Sequence, residues 1–342
     1  MHGTVVITGG GTGGHLNVAK EFIDAFYKRG ITPIFVGSEN GKDKEWFARD
    51  FHIKKCYFLK SRGVVNKDFK GKALALFSIA KEVSHCLDLF STLDVKTVIS
   101  VGGYSAAPAS MAAILKSGCK LYIHEQNSVT GKLNHYTKRF ASEFFSSYDL
   151  NSKVKDYPVK MEYFNEARIR QNVKTIIFLG GSHGAAAINN YALELAPSLN
   201  KAGIKIIHQT GKNDFNRVVE EYSKLGISLD IFAFDQKLHL KMSQADFAVS
   251  RAGASTLWEL AANAIPTLFI PYPSAAGDHQ FHNAAFLRNK GLCFVAREKE
   301  LHPNILIKCL KSNIEKMSKG LTDCIMYDSV ESMIDIILEQ NQ

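Results

Sequence analysis

The chain has only six cysteines in 342 residues, and they stand far apart, with no CxxC pair and no Cys/His spacing of a metal site. This excludes a zinc-type centre and a disulfide scaffold, and leaves buried or free thiols of a reducing cytoplasm. An arginine-rich arm and an aromatic-interleaved RNA motif are both missing. The formal net charge of +9 therefore points to a phosphorylated or lipid-surface partner, with no nucleic acid. No membrane-length apolar run survives inspection. Residues 97–115 carry no charge, but Gly102-Gly103-Tyr104 and Pro108 break the stretch into strand, loop and helix. A strand expected from residue 4 leaves no room for a signal peptide.

What is present is a pattern stated twice. Thr4-Val5-Val6-Ile7-Thr8 runs into Gly9-Gly10-Gly11-Thr12-Gly13-Gly14-His15, and Thr175-Ile176-Ile177-Phe178-Leu179 runs into Gly180-Gly181-Ser182-His183-Gly184-Ala185. Each is an apolar β-run breaking into a glycine loop before a helical pattern, where backbone N–H groups and a helix N-terminus meet phosphate. Strand-like segments are expected at 4–8, 32–36, 55–59, 97–101, 121–124 and 143–146, and again at 175–179, 204–208, 229–234, 247–250, 267–270 and 293–296. Six against six predicts a duplicated α/β fold, two nucleotide-type halves facing one cleft. The polar stretch 151–172 is the expected linker, and Val330, Met333, Ile334, Ile337 and Leu338 form the apolar face of a terminal helix.

Several polar groups fall at strand ends. The first loop lacks GxGxxG spacing, although Glu39 after the second strand imitates a dinucleotide ribose acid. His15, at a helix start, is either a cap or a neutral imidazole fit to accept a proton. His124-Glu125-Gln126-Asn127 is either a solvated loop or a site for a polyhydroxyl ligand. In Arg251-Ala252-Gly253-Ala254-Ser255-Thr256-Leu257-Trp258-Glu259, small residues admit a phosphate and Glu259 follows Ser255 by one helical turn. Glu259 is there either a ribose ligand or a solvated capping residue. Asp278-His279-Gln280 with Asn283 suits hydroxyl recognition.

Together these motifs resemble the MurG family of bacterial peptidoglycan glycosyltransferases, enzymes of GT-B architecture. Gly10 to His15, Gly102-Gly103-Tyr104, His124 to Asn127, Gly180 to Ala185, Gln209-Thr210-Gly211-Lys212, Arg251 to Glu259 and the Gln280 to Asn283 region occur in the family's order. The resemblance implies two Rossmann-like parallel-sheet domains, 1–158 for the acceptor and membrane and 159–325 for UDP-GlcNAc, with a helix at 326–342 packing back on the first. It implies inverting transfer of GlcNAc from UDP-GlcNAc to the C4 hydroxyl of undecaprenyl-pyrophosphoryl-MurNAc-pentapeptide (lipid I), giving lipid II. By the same resemblance the donor meets Thr12, Gly13, Gly14, Asn127, Lys160, Ser182, Asp235, Ala254, Ser255, Thr256, Glu259, His279, Gln280 and Asn283. The acceptor meets Gly11, Gly13, Gly14, Gly102, Gly103, Tyr104 and His124. His15 is the expected base, with Glu125 behind it.

No cofactor and no protein-bound metal are expected: an Asp-x-Asp pair is lacking, and amides and helix dipoles serve the diphosphate. Three positions depart from the family pattern. Val18 replaces a proline, Lys160 replaces an arginine and so loses its planar fork, and Asp278-His279-Gln280 stands where relatives carry paired glutamines. Lys67, Lys70 and Lys72 with Phe69 and Ala73-Leu74-Ala75-Leu76-Phe77 are the expected contact with an anionic inner-leaflet surface, placing the protein at the cytoplasmic face of the inner membrane. A UDP-GlcNAc 2-epimerase is the enzyme alternative, and a catalytically silent membrane scaffold the non-enzyme one.

Overall fold

The computed structural model describes residues 3–60, 69–181 and 184–341, with only the backbone of 69–76. The chain divides into two compact units, Met1–Pro158 with Asp328–Gln342, and Val159–Tyr327.

In the first unit the strands are β1 (Thr4–Thr8), β2 (Ile34–Ser38), β3 (Lys55–Leu59), β4 (Val95–Ser100), β5 (Lys120–Glu125) and β6 (Glu143–Ser146). The helices are α1 (Gly13–Lys28), α2 (Asp43–Phe47), α3 (Phe69–Thr92), α4 (Ala107–Leu115) and α5 (Lys132–Thr137). All strand pairs are parallel in the order β3-β2-β1-β4-β5-β6. Helices cover both faces, so the strands read as nearly continuous apolar runs. Val6, Ile34, Val36, Val98, Leu121 and Ile123 pack under Cys86 and Phe90 of α3 and Ala109 and Ala112 of α4. Leu16, Ala19, Phe22, Ile23 and Phe26 bury the inner stripe of α1.

The second unit holds α6 (Met161–Asn165), β7 (Thr175–Leu179), α7 (Ala186–Lys201), β8 (Lys205–Gln209), α8 (Phe215–Lys224), β9 (Asp230–Phe232), α9 (Leu238–Ser243) and β10 (Phe247–Ser250). It continues through α10 (Ala254–Ala262), β11 (Thr267–Phe269), α11 (His279–Asn289), β12 (Phe294–Val295), α12 (Pro303–Leu310) and α13 (Ile314–Thr322). Its sheet runs β12-β11-β10-β7-β8-β9. Counted from β7, that is the order of the first sheet. In each, the order reverses beside the first strand: β1 next to β4, β7 next to β10. Ligands of open parallel sheets bind at the carboxyl ends of such a pair.

The last helix, α14 (Ser329–Gln340), returns to the first unit and buries Val330, Met333, Ile334 and Ile337. Arg29 at the end of α1 holds both Glu331 and Asp335, the latter at 2.6 Å. Asn341 Nδ2 donates to the Tyr122 hydroxyl at 3.0 Å. The strand expectations differ from the structure at their ends: β2 begins at Ile34 rather than residue 32, and β9 shrinks to Asp230–Phe232. The stretch 151–172 is not a solvated linker. Tyr157, Val159, Tyr163 and Arg170 are buried within it, and the division between the units falls at Pro158/Val159.

Candidate active site

The first unit's site forms where β1 and β4 end. Gly11 adopts φ +82°, open to glycine at no steric cost, and a Cβ there would strike the Tyr104 ring at 2.5 Å. Gly103 lies so close to the first loop that a Cβ would sit 2.3 Å from Gly10 O, and Gly10 N donates to Gly102 O at 3.2 Å. The two glycine loops are thus locked backbone to backbone. Asp43, wholly buried at the start of α2, completes the lock by accepting from Gly11 N at 2.7 Å and Ser38 N at 2.9 Å. The Tyr104 hydroxyl bonds to Ser38, and burial raises its pKa.

His15 is the third residue of α1. Its Nδ1 lies 2.8 Å from Thr12 Oγ1, and its Nε2 edge faces Gly102, where a Cβ would stand 3.4 Å away. The ladder of α1 begins with Leu16 N donating to Thr12 O, so the amides of Gly13, Gly14 and His15 precede it.

The four polar residues after β5 divide by exposure. His124 has no solvent contact and lies edge-on to Phe22 and Tyr157, at 6.2 and 5.6 Å between ring centroids. Neither of its ring nitrogens has a hydrogen-bond partner among the described residues, and burial, with His15 nearby, pushes its pKa down to about 3. It is a neutral ring packed inside the unit. The Glu125 carboxylate accepts from Asn127 N (3.0 Å), Gly131 N (2.9 Å) and Asn134 Nδ2 (2.8 Å). Those bonds make it the organiser of the loop into α5. Gln126 is likewise spent, donating to Val101 O at 3.2 Å and accepting from the Tyr157 hydroxyl at 3.2 Å. Asn127 is the partly exposed member.

In the second unit Ser182 lies outside the described residues. The loop around it is tied to β8, since Gly180 N donates to Gln209 O at 3.2 Å and a Cβ on Gly184 would meet Thr210 O at 2.4 Å. At the neighbouring strand end, α10 starts at Ala254, and its ladder begins with Leu257 N on Gly253 O. The amides of Ala254, Ser255 and Thr256 therefore precede the helical bonds, one turn before Glu259. Glu259 is partly buried. Desolvation pushes its pKa up to about 7, against the opposing pull of Lys160 and a hydrogen bond from Tyr163.

The loop before α11 supplies the rest. Gln280 Oε1 accepts from Tyr272 N at 2.9 Å, which turns its Nε2 toward Gly253. His279 Nδ1 donates to Ala276 O at 3.0 Å. Asp278, at φ +54°, is held by Arg297 at 2.6 Å, which keeps its carboxyl below the usual range. Asn283 is fully buried and donates to Ala252 O at 3.3 Å, tying the start of α11 to the turn into α10. Asp235 accepts from Lys237 N at 2.8 Å in a local turn, and Lys160 is exposed at the start of α6. Asp43, Asn134, Tyr163 and Arg297 escaped the sequence reading. Only Asp43 carried a signal, an acid at a helix start. Among the described residues no cluster of three or more His, Cys, Asp or Glu suits a metal ion.

The glycosyltransferase family 28 N-terminal domain profile matches residues 5–146, and the family's C-terminal domain profile matches residues 175–324. A Wolinella succinogenes protein is 46% identical over 334 residues, covering 98% of this chain and 99% of its own. A Campylobacter jejuni protein is 45% identical over 339 residues, covering 99% and 98%. Both are named UDP-N-acetylglucosamine–N-acetylmuramyl-(pentapeptide) pyrophosphoryl-undecaprenol N-acetylglucosamine transferase. Among solved structures, Acinetobacter baumannii MurG is similar at a TM-score of 0.79 and 25% identity, over 98% of this chain and 99% of its own. A UDP-GlcNAc 2-epimerase from Methanocaldococcus jannaschii shares the fold at a TM-score of 0.64 and 13% identity, over 99% and 100%.

Proposed function

The chain belongs to glycosyltransferase family 28, and from that premise we propose how its residues carry out the family's lipid II-forming reaction. It is a UDP-GlcNAc-dependent N-acetylglucosaminyltransferase acting on undecaprenyl-pyrophosphoryl-MurNAc-pentapeptide. The observation that carries the assignment of roles is α10: phosphate-seeking amides at Ala254, Ser255 and Thr256, and a carboxylate one turn further on at Glu259. The amides take the diphosphate and the carboxylate takes the ribose diol. Gln280 Nε2, turned toward the same helix start, meets the sugar. The first unit binds the lipid pyrophosphate at the start of α1 and brings His15 to the acceptor hydroxyl.

Inversion is a single in-line displacement in which the C4 hydroxyl loses its proton as UDP departs. For His15 Nε2 to accept that proton, Nδ1 must carry the ring's own hydrogen, and Thr12 Oγ1 at 2.8 Å is its acceptor. The amides at the head of α10 stabilise the charge gathering on the leaving diphosphate. Incubation with radiolabelled UDP-GlcNAc and a lipid I analogue should yield a GlcNAc-bearing lipid. Formation of UDP-ManNAc from UDP-GlcNAc alone, with no lipid product, would instead make the protein an epimerase.

The acceptor's lipid requires access to a membrane surface, and no helix among the described residues is long and apolar enough to cross one. Lys67 and the side chains of Lys70, Lys72 and residues 69–76 lie outside the described set, while Phe77 of α3 is 75% exposed. On α4, packed against α3, Leu115 is 61% exposed and Met111 is also open, with exposed Lys81 and Arg139 on the same unit. These side chains support shallow insertion into an anionic inner leaflet from the cytoplasmic face. Phe77→Ser with Leu115→Ser should weaken binding to anionic vesicles by about tenfold or more, given roughly 1.5–3 kcal/mol per buried side chain. Turnover of a short-chain soluble acceptor should hold. Vesicle binding indifferent to both substitutions would remove this face from the membrane.

A further inference from the structure

The underside of the donor helix contains an expensive arrangement. Arg170 has no solvent exposure and makes no ion pair among the described residues, and burial pulls its pKa down to about 9. A buried guanidinium is costly unless every donor is used. Here Nε donates to Ala245 O at 3.2 Å, Nη1 to Arg168 O at 2.6 Å, and Nη2 to Asn263 Oδ1 at 2.7 Å. Nη1 also reaches the Asn263 carbonyl. Asn263, the buried residue capping the end of α10, passes the constraint on by donating from Nδ2 to Tyr163 O at 2.9 Å. Tyr163 sits on α6, which packs against α10, and its hydroxyl bonds to the Glu259 carboxylate. One continuous chain of hydrogen bonds therefore joins a buried arginine to the group proposed to hold the ribose.

We propose that Tyr163 is a positioning residue for the donor: fixed by the Arg170–Asn263 bracket, its hydroxyl holds one lone pair of Glu259 so that the remaining ones face the ribose diol. The inference rests on the reading of Glu259 as the ribose ligand. A carboxylate three bonds beyond its Cα otherwise has rotamer freedom, and that freedom is lost on binding. The hydroxyl also favours the ionised carboxylate, together with Lys160. Of the other elements packed on α10, α11 carries His279, His282 and Arg288 and α13 carries Glu315, Lys316 and Lys319, but Lys160 and Tyr163 are the groups acting on Glu259.

The test is Tyr163→Phe, which removes one oxygen atom from a side chain that is 7% exposed. The dissociation constant for UDP-GlcNAc should rise by about 5- to 20-fold, with kcat held within about twofold. The midpoint of its pH dependence should move upward, because the charged carboxylate has lost a donor. In a Glu259→Gln background the same substitution should have no further effect on binding. An unmoved midpoint with unchanged affinity overturns the proposal, as does an equal loss in the Glu259→Gln background, which would place the hydroxyl's role elsewhere. If Glu259→Gln itself leaves binding unchanged, it is the ribose assignment that fails. A normal Glu259→Gln loss with a silent Tyr163→Phe fails the positioning role alone.

Discussion

His15→Ala should lower kcat by about a hundred- to ten-thousandfold, the usual worth of a positioned general base, while UDP-GlcNAc affinity changes little. The loss should fall on kcat because the imidazole is placed for one purpose. Its Nδ1 is anchored on Thr12 at 2.8 Å and its Nε2 edge is turned to Gly102, between the two interlocked glycine loops. Donor affinity should be spared, since the diphosphate, ribose and sugar contacts proposed here lie mainly in the other unit. Two readouts separate a base from a residue that merely seats the acceptor. A base gives kcat an acidic limb that vanishes in His15→Ala, whereas a seating residue raises acceptor KM and leaves the limb in place. A limb retained in His15→Ala would shift the assignment towards Glu125 or another group, although the Glu125 carboxylate already accepts from Asn127 N, Gly131 N and Asn134.

Glu259→Ala should raise the KM for UDP-GlcNAc by about 30- to 150-fold, from roughly 2–3 kcal/mol of charge-assisted hydrogen bonding to the ribose. The free protein holds this carboxyl at about 7, so donor binding should strengthen as pH rises through that value and release a proton. Glu259→Gln should abolish that dependence. In the unliganded protein the sign is opposite for stability. The folded state grips the proton more tightly than the unfolded chain, whose carboxyl has the ordinary 4.5, so stability declines between that pH and about 7. Thermal denaturation of Glu259→Gln without ligand should show a flatter profile over the same interval. A KM unchanged in a folded Glu259→Ala protein would take the residue out of the site.

Most of the fold was readable because parallel strands buried on both faces must be apolar, and each glycine loop marks where one ends. Strand limits were less readable: Leu229, Ala233 and Phe234 beside β9 are as apolar as the residues inside it, and Pro33 before β2 has no N–H to donate; pairing register sets where the ladder stops. The surroundings of polar residues were the least readable. His124, Glu125 and Asn283 looked like ligands, yet one is sealed in and the other two serve backbone groups. Asp43, between Lys42 and Lys44, went unremarked, yet it is wholly buried and holds two loop amides. Tyr163 and Arg170 fell in a stretch whose composition suggested a linker. A sequence states that a side chain is polar, and only the fold states whether water or backbone meets it.

The return of α14 has a consequence for the order in which the protein is made. The second unit is one uninterrupted segment, Val159–Tyr327, complete as soon as its last residue leaves the ribosome. The first unit is not. Its helix α1, which opens on His15, awaits Val330, Met333, Ile334 and Ile337 and the ion pairs of Arg29 to Glu331 and Asp335. Domains usually mature from the N-terminus as synthesis proceeds. Here the half translated first is finished last, so a released chain truncated before residue 328 carries the second unit whole and leaves α1, with His15 in its first turn, unbraced.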